Sequence, residues 1–209
     1  MGIQERRTEL RQALRDRILD ASREIVGREG IAALSMRKIA EAIDYSPASL
    51  YLHFRSRADI ARALRAEGHA QLLQAFLIHA TIVDAAARLK AMGQAYVEFG
   101  LANPETYRLM LMETSGAAAL ADPGDADPGA AALAMMADAF VELRADGRLP
   151  AHAAPPECAR ALWANLHGIV ALELTLYATP AVPQTSAETL AGLTLGAWFG
   201  HGAASSPDT

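Results

Sequence analysis

Residues 35–57 read Ser-Met-Arg-Lys-Ile-Ala-Glu-Ala-Ile-Asp-Tyr-Ser-Pro-Ala-Ser-Leu-Tyr-Leu-His-Phe-Arg-Ser-Arg, and few folds accept that order. Ser35 is placed to cap a helix by accepting a hydrogen bond from one of its free amides. Met36, Ile39, Ala40 and Ile43 then repeat at helical spacing on one face. Asp44 stands where the chain must reverse, and Asp tolerates a left-handed or side-chain-bonded turn better than most residues. Ser46 is a second cap, and Pro47 sits at the first helical position, where a missing amide costs nothing. Leu50 and Phe54, four apart, anchor this second helix and leave Ala48, Ser49, Tyr51, Leu52 and His53 on or near its outer faces. Residues 56–59, Ser-Arg-Ala-Asp, start the next helix in the manner of a capping box. Two short capped helices, a tight turn and a polar outer face predict a helix-turn-helix whose second helix fits the major groove of DNA.

The rest of the chain must supply a body for this element. Apolar residues make up 52% of the 209, but aromatics only 6%, and the apolar share is mostly Ala and Leu. Runs rich in β-branched residues are nearly absent, which favours an all-α fold. A single cysteine, Cys158, excludes an intramolecular disulfide and fits a reducing, cytoplasmic setting. Charge appears early, at Glu5, Arg6 and Arg7, so no signal peptide is expected, and no apolar run of spanning length predicts a membrane helix. The net charge of −5 is unevenly spread: residues 1–65 carry 13 Lys plus Arg against 9 Asp plus Glu, or +4, and residues 66–209 carry 6 against 15, or −9. A basic head on an acidic body keeps attraction to phosphate local.

In chain order, residues 1–9 read as a polar, frayed arm. Leu10, Leu14, Ile18, Ala21 and Ile25 mark a helix face, with Gly30 as its stop. Ile31 and Leu34 pack beneath the head as a connector. Residues 57–80 predict a long helix, and another starts at Thr81 or Asp84 and runs to 102, with Met92, Tyr96 and Phe99 on one side. Asn103-Pro104 ends it, and a short helix follows over 105–113. Residues 115–130, with two Asp-Pro-Gly segments, read as a loop. Helices are expected over 131–145, 156–177 and 186–200, the last two apolar around much of their circumference. Gly168, Ala171, Gly192 and Gly196 are read there as sites of close helix approach.

Three segments now carry a resemblance. Residues 17–25 (Arg-Ile-Leu-Asp-Ala-Ser-Arg-Glu-Ile) with Glu29-Gly30, then 35–40 (Ser-Met-Arg-Lys-Ile-Ala), then 46–54 (Ser-Pro-Ala-Ser-Leu-Tyr-Leu-His-Phe) resemble the DNA-binding domain of the TetR family of bacterial transcriptional regulators. Residues 163–168, Trp-Ala-Asn-Leu-His-Gly, resemble a Trp-His-Gly motif in the ligand-binding domain of one subgroup. Asp44 and Ala48 stand where a glycine is common in the family, and Arg57 replaces a usual lysine.

The resemblance implies an all-α fold of about nine helices. A helix-turn-helix domain over 1–56 is joined by a long helix to a ligand-binding and dimerisation domain over 57–209. It implies a repressor that binds a palindromic operator in double-stranded DNA as a homodimer and is released by a small, largely apolar effector. The connecting helix would carry the signal. Tyr51, His53 and Arg57 match positions that contact phosphate, and each can donate to an oxyanion. Ser35 and Ser46 combine capping with a phosphate at a helix N-terminus. Arg37 reaches a base edge or a phosphate, while Tyr45, Pro47, Ala48 and Ser49 are the candidates for base contact. Met92, Tyr96, Phe99, Met110, Trp163 and His167 are the effector candidates, with ordinary core as their alternative role. The last two helices pair with their copies in a four-helix bundle, through Leu172, Leu176, Leu193 and Trp198. No cofactor and no metal are expected.

Two other classes compete. One is a DNA-binding protein without an effector. The other is a helical enzyme, but the histidines, Cys158 and the carboxylates show no metal-ligand spacing, and the chain has no Gly-rich phosphate loop or nucleophile elbow.

Overall fold

Both caps are made. A computed structural model describes residues 2–113, 127–150, 152–175 and 185–199. In it Ser35 Oγ accepts the Lys38 amide at 3.2 Å and opens α2 (Met36–Ile43). Ser46 Oγ accepts the Ser49 amide at 3.2 Å and opens α3 (Pro47–Leu50). Between them Asp44 takes the left-handed conformation, φ 59° and ψ 49°. Met36, Ile39, Ala40 and Ile43 are all buried, as their spacing predicts. The regular part of α3 is only four residues long. A tighter turn follows, in which the His53 and Phe54 amides both donate to Leu50 O, at 2.9 and 3.0 Å, and Phe54 is drawn into the core.

Among the described residues there are nine α-helices and one 3-10 turn, with no strand. They fall into two compact units: those within Met1–Gly68 and Glu105–Asp125, and those within His69–Pro104 and Ala126–Thr209. The first unit begins with α1 (Ile3–Glu29), followed by the 3-10 turn Ile31–Ala33, α2 and α3. The helix α4 (Arg57–Leu77) begins in this unit and is capped by Ser56 Oγ on the Asp59 amide at 3.2 Å. Gly30 ends α1 at φ 76°, which a glycine reaches without strain. Of the arm expected over residues 1–9, residues 3–9 are instead the first turns of α1. The Gly2 amide is satisfied by Glu5 Oε2 at 2.6 Å, and the residues that follow are good helix formers. Leu10 is correspondingly not part of the core: the packed face of α1 starts at Leu14, and Leu10, one turn earlier, is 66% exposed.

The core of this unit takes one residue from far along the chain. Leu109, on α6 (Pro104–Leu111), is buried among Ile18, Leu34, Ile39, Leu50 and Ile60. Arg65 Nε donates to Leu109 O at 2.9 Å and fixes that turn of α6 against α4. Gly68 allows the approach. A Cβ built there would lie 2.5 Å from Met110 Sδ and 2.9 Å from both Met110 Cγ and Thr106 Cγ2.

The second unit contains α5 (Ala85–Ala102), α7 (Pro128–Ala145), α8 (Pro155–Thr175) and α9 (Ala187–Phe199). Asp84 caps α5 through the Ala87 amide at 2.7 Å and is also bonded by Arg148. Arg88 reaches Glu142 at 2.6 Å and ties α5 to α7. The helix α7 starts at Pro128, three residues before the expected Ala131. Asp127 accepts the Gly129 amide at 2.9 Å with Pro128 behind it, so an Asp-Pro-Gly segment read as a turn is a cap and first helical turn. The remainder of the expected loop, residues 115–126, lies outside the described residues. Close helix approach occurs at Gly93, where a Cβ would meet Leu195 Cδ2 at 2.7 Å. Among the described residues nothing lies within 4 Å of such an atom at Gly168, Gly192 or Gly196, so these glycines do not bring helices of this chain together.

Candidate nucleic-acid interface

The outer face of α3 is built by two constraints. Ser46 and Pro47 fix where the helix begins, and Leu50 and Phe54 fix which side is buried. What remains outward is Pro47, Ala48, Tyr51 and Leu52, with Ser49 and His53 half-buried. Tyr51 is 53% exposed and Leu52 72%. The Ser46 and Ser49 hydroxyls lie 2.9 Å apart, so one donates to the other while Ser46 also holds its cap. Ser35, Tyr45, Ser46, Pro47, Ala48 and Tyr51 are thus all exposed on the helix-turn-helix.

Two predicted cations are engaged within the protein. Arg37 Nε pairs with Glu41 at 2.8 Å, one turn along α2, and that bond holds its pKa above the ordinary value. Arg57 Nη2 donates to Ile31 O at 2.7 Å and so secures the connector under the head. A guanidinium has five donors, so neither bond excludes a second partner.

Sequence reasoning missed a set of arginines on α1. Arg11 Nη2 donates to Leu52 O at 3.3 Å, and the Arg15 guanidinium carbon lies 4.3 Å above the Phe54 ring. Arg17 Nη2 donates to Ile43 O at 3.0 Å and lies 5.3 Å from the centre of the Tyr45 ring. Positive charge therefore gathers beside the turn and α3 on carbonyl oxygens and aromatic faces. His53 stands among these groups. Its burial, then Arg11 and Arg15, lower its pKa below the ordinary imidazole value, which favours the neutral ring. Arg11 and Arg15 are four apart and share a helix face, a signal present in the sequence.

The remaining candidates separate. Met92, Tyr96, Phe99, Trp163 and His167 all belong to the second unit, but Met110 belongs to the first. Tyr96 and Trp163 meet edge-to-face with ring centres 5.0 Å apart, and Trp163 meets Phe76 at 6.4 Å. Met92 and Tyr96 are fully buried. Burial lowers the pKa of His167, which favours the neutral ring. Leu172, Leu193 and Trp198 are exposed, Leu193 at 65%. Leu176 lies outside the described residues. No group of His, Cys, Asp and Glu among the described residues could hold a metal, and no helix among them is long and apolar enough to cross a membrane.

Two family models match the chain. One, described as bacterial regulatory proteins of the tetR family, covers residues 18–64; the other, described as the tetracyclin repressor-like C-terminal domain, covers residues 89–194. The chain belongs to the TetR family. It is a DNA-binding transcriptional regulator, and this family is one of regulators rather than enzymes. The TetR-type chain is 27% identical over 96 residues to YobS, an uncharacterised HTH-type transcriptional regulator of Bacillus subtilis (strain 168). That match spans 46% of this chain and 50% of YobS. A protein of unknown function from Rhodococcus sp. RHA1 shares the fold, with a TM-score of 0.72, 25% identity, and coverage of 89% of this chain and 93% of that one. The fold is also that of AibR, solved in complex with isovaleryl coenzyme A and operator DNA, with a TM-score of 0.62, 18% identity and coverage of 88% and 97%.

Proposed function

We propose that this TetR-family regulator represses transcription by binding a palindromic operator as a homodimer, and that a small, largely apolar effector releases it. The observation that carries the reading is the helix-turn-helix itself. A left-handed Asp44 and two serine caps hold an exposed α3 face, and arginines of α1 stand beside it. In this reading Tyr51, His53 and Arg57 hold phosphates, as do Ser35 and Ser46 at their helix starts. Arg37 adds a base or phosphate contact. Tyr45, Pro47, Ala48 and Ser49 meet base edges, and Pro47 and Ala48 suit a thymine methyl group. Two such heads reach successive major grooves when their α3 helices stand about 34–36 Å apart, or a longer multiple of a turn.

Residues 57–209 form the effector and dimerisation half in this reading. The Trp163, Tyr96 and Phe76 rings, with Met92 and His167 on the same helices, supply the apolar surface that an effector would share. Phe99 completes the effector set within the second unit. AibR, solved with both an acyl coenzyme A and operator DNA, supports the idea that this fold accommodates both partners. The exposed Leu172, Leu193 and Trp198, with Leu176, are the dimer contacts.

The test is selection from a random duplex library, repeated with Tyr51→Ala at two salt concentrations. A palindrome should be enriched, and both the substitution and the salt should weaken its binding. Absence of enrichment at low salt would overturn the reading. Compounds that then release the bound operator identify the effector, and a family of apolar ligands that never does so favours an effector-independent protein.

A further inference from the structure

We propose that Arg17 is a positioning residue for sequence readout, acting through the turn residue Tyr45; the inference rests on the DNA-binding reading of the head. One guanidinium grips both sides of the left-handed Asp44. On one side Arg17 Nη2 donates to Ile43 O at 3.0 Å, in a partly buried bond between residues 26 apart. That carbonyl belongs to the last turn of α2, where helix carbonyls lack intrahelical donors and the dipole favours a cation. On the other side the same guanidinium faces the Tyr45 ring at 5.3 Å. The backbone closes the turn through the Asp44 amide, shared between Ala40 O and Glu41 O, and Asp44 is the one non-glycine residue with positive φ among the described residues.

Tyr45 is where this hold acts. Its amide is fixed to Ala40 O at 2.9 Å, but the residue is 41% exposed and its neighbour Ser46 caps α3. With its backbone set and its ring free to rotate, Tyr45 would present a range of orientations to a base edge. Arg17 limits that freedom by holding its guanidinium over the ring face while Nη2 is bonded to Ile43 O, two contacts that the point charge of an ammonium does not reproduce together. In this role Arg17 acts on the turn and Tyr45 rather than on a phosphate. Its loss should alter which base is preferred and leave the electrostatic part of binding in place.

The experiment compares the selected operator of the wild type with those of Arg17→Lys, Arg17→Met, Tyr45→Ala and the double variant Arg17→Lys/Tyr45→Ala. Thermal melting of each variant checks that it is folded. Arg17→Lys and Tyr45→Ala are expected to lose discrimination at the same base pair of each half-site, by roughly five-fold or more. The double variant should lose no more than either single one, because coupled residues are not additive. The slope of log affinity against log salt should stay at the wild-type value in Arg17→Met. Additive losses, or a uniform fall in affinity with the Arg17→Met slope reduced by about 1, would make Arg17 a plain phosphate contact and overturn the proposal. A Tyr45→Ala protein that keeps every base preference overturns it as well, while leaving operator binding intact. A wild type that selects no sequence overturns the DNA-binding reading and this inference with it.

Discussion

Ser35 and Ser46 each accept one amide that would otherwise be an orphan at a helix start. Replacing either with Ala should cost about 1 kcal/mol of stability, read as a lower melting temperature, and Asp at the same position should retain most of it. His53 gives a pH dependence whose sign follows from its surroundings. Its folded pKa lies below the ordinary value because of burial, Arg11 and Arg15. The unfolded chain therefore binds more protons between that lowered value and about 6.5. Stability should be full above about 6.5, decline as the pH falls through this window, and level off below the folded pKa. His53→Gln should remove that part of the decline, seen by comparing the two melting curves across pH. The caps and Asp44 were legible because their chemistry is local. Arg11, Arg15 and Arg17 were not, because their role is set by what α1 packs beside, and a spacing of four names a shared face without naming its neighbour.

Helix positions followed from the sequence more closely than helix contacts did. Caps, prolines and apolar spacing located α2, α4, α5 and α8 to within a few residues, and the misplaced start of α7 came from an Asp-Pro-Gly segment that serves equally as a turn or a cap. The glycines were less legible. A glycine in a helix reads as a place for close approach, but only packing decides which one is used. Gly68 and Gly93 are used, and Gly168, Gly192 and Gly196 are not used among the described residues. Gly68→Ala should destabilise the protein by roughly 1–3 kcal/mol, since α6 presents two Met110 atoms and one Thr106 atom to the new methyl group and all must shift. Gly192→Ala should leave the stability of a single chain unchanged or slightly raised, because alanine is the better helix former. Denaturant melts of the two variants side by side separate these outcomes.

On the scale of the molecule, the uncovered apolar residues of α8 and α9 bear on dimerisation. If Leu193 meets its copy in a dimer, Leu193→Glu should halve the mass seen by sedimentation and weaken operator binding steeply, while α-helix content stays the same; an unchanged mass would place the dimer contact elsewhere. The all-α class and the basic head were legible from composition and charge alone. The entry of Leu109 into the head's core was not, since nothing in the sequence between Gly68 and Leu109 marks that return. Leu109→Ala is expected to cost about 2–5 kcal/mol, registered as loss of the cooperative melt of the head. That single leucine also sets an order of events during synthesis. A chain emerging from the ribosome N-terminus first has α1 to α3 available early, yet it cannot close the interior of its DNA-reading end until α6 has followed α5 out of the exit tunnel. A nascent regulator of this kind has no finished head to offer the chromosome until well over half of it has been made.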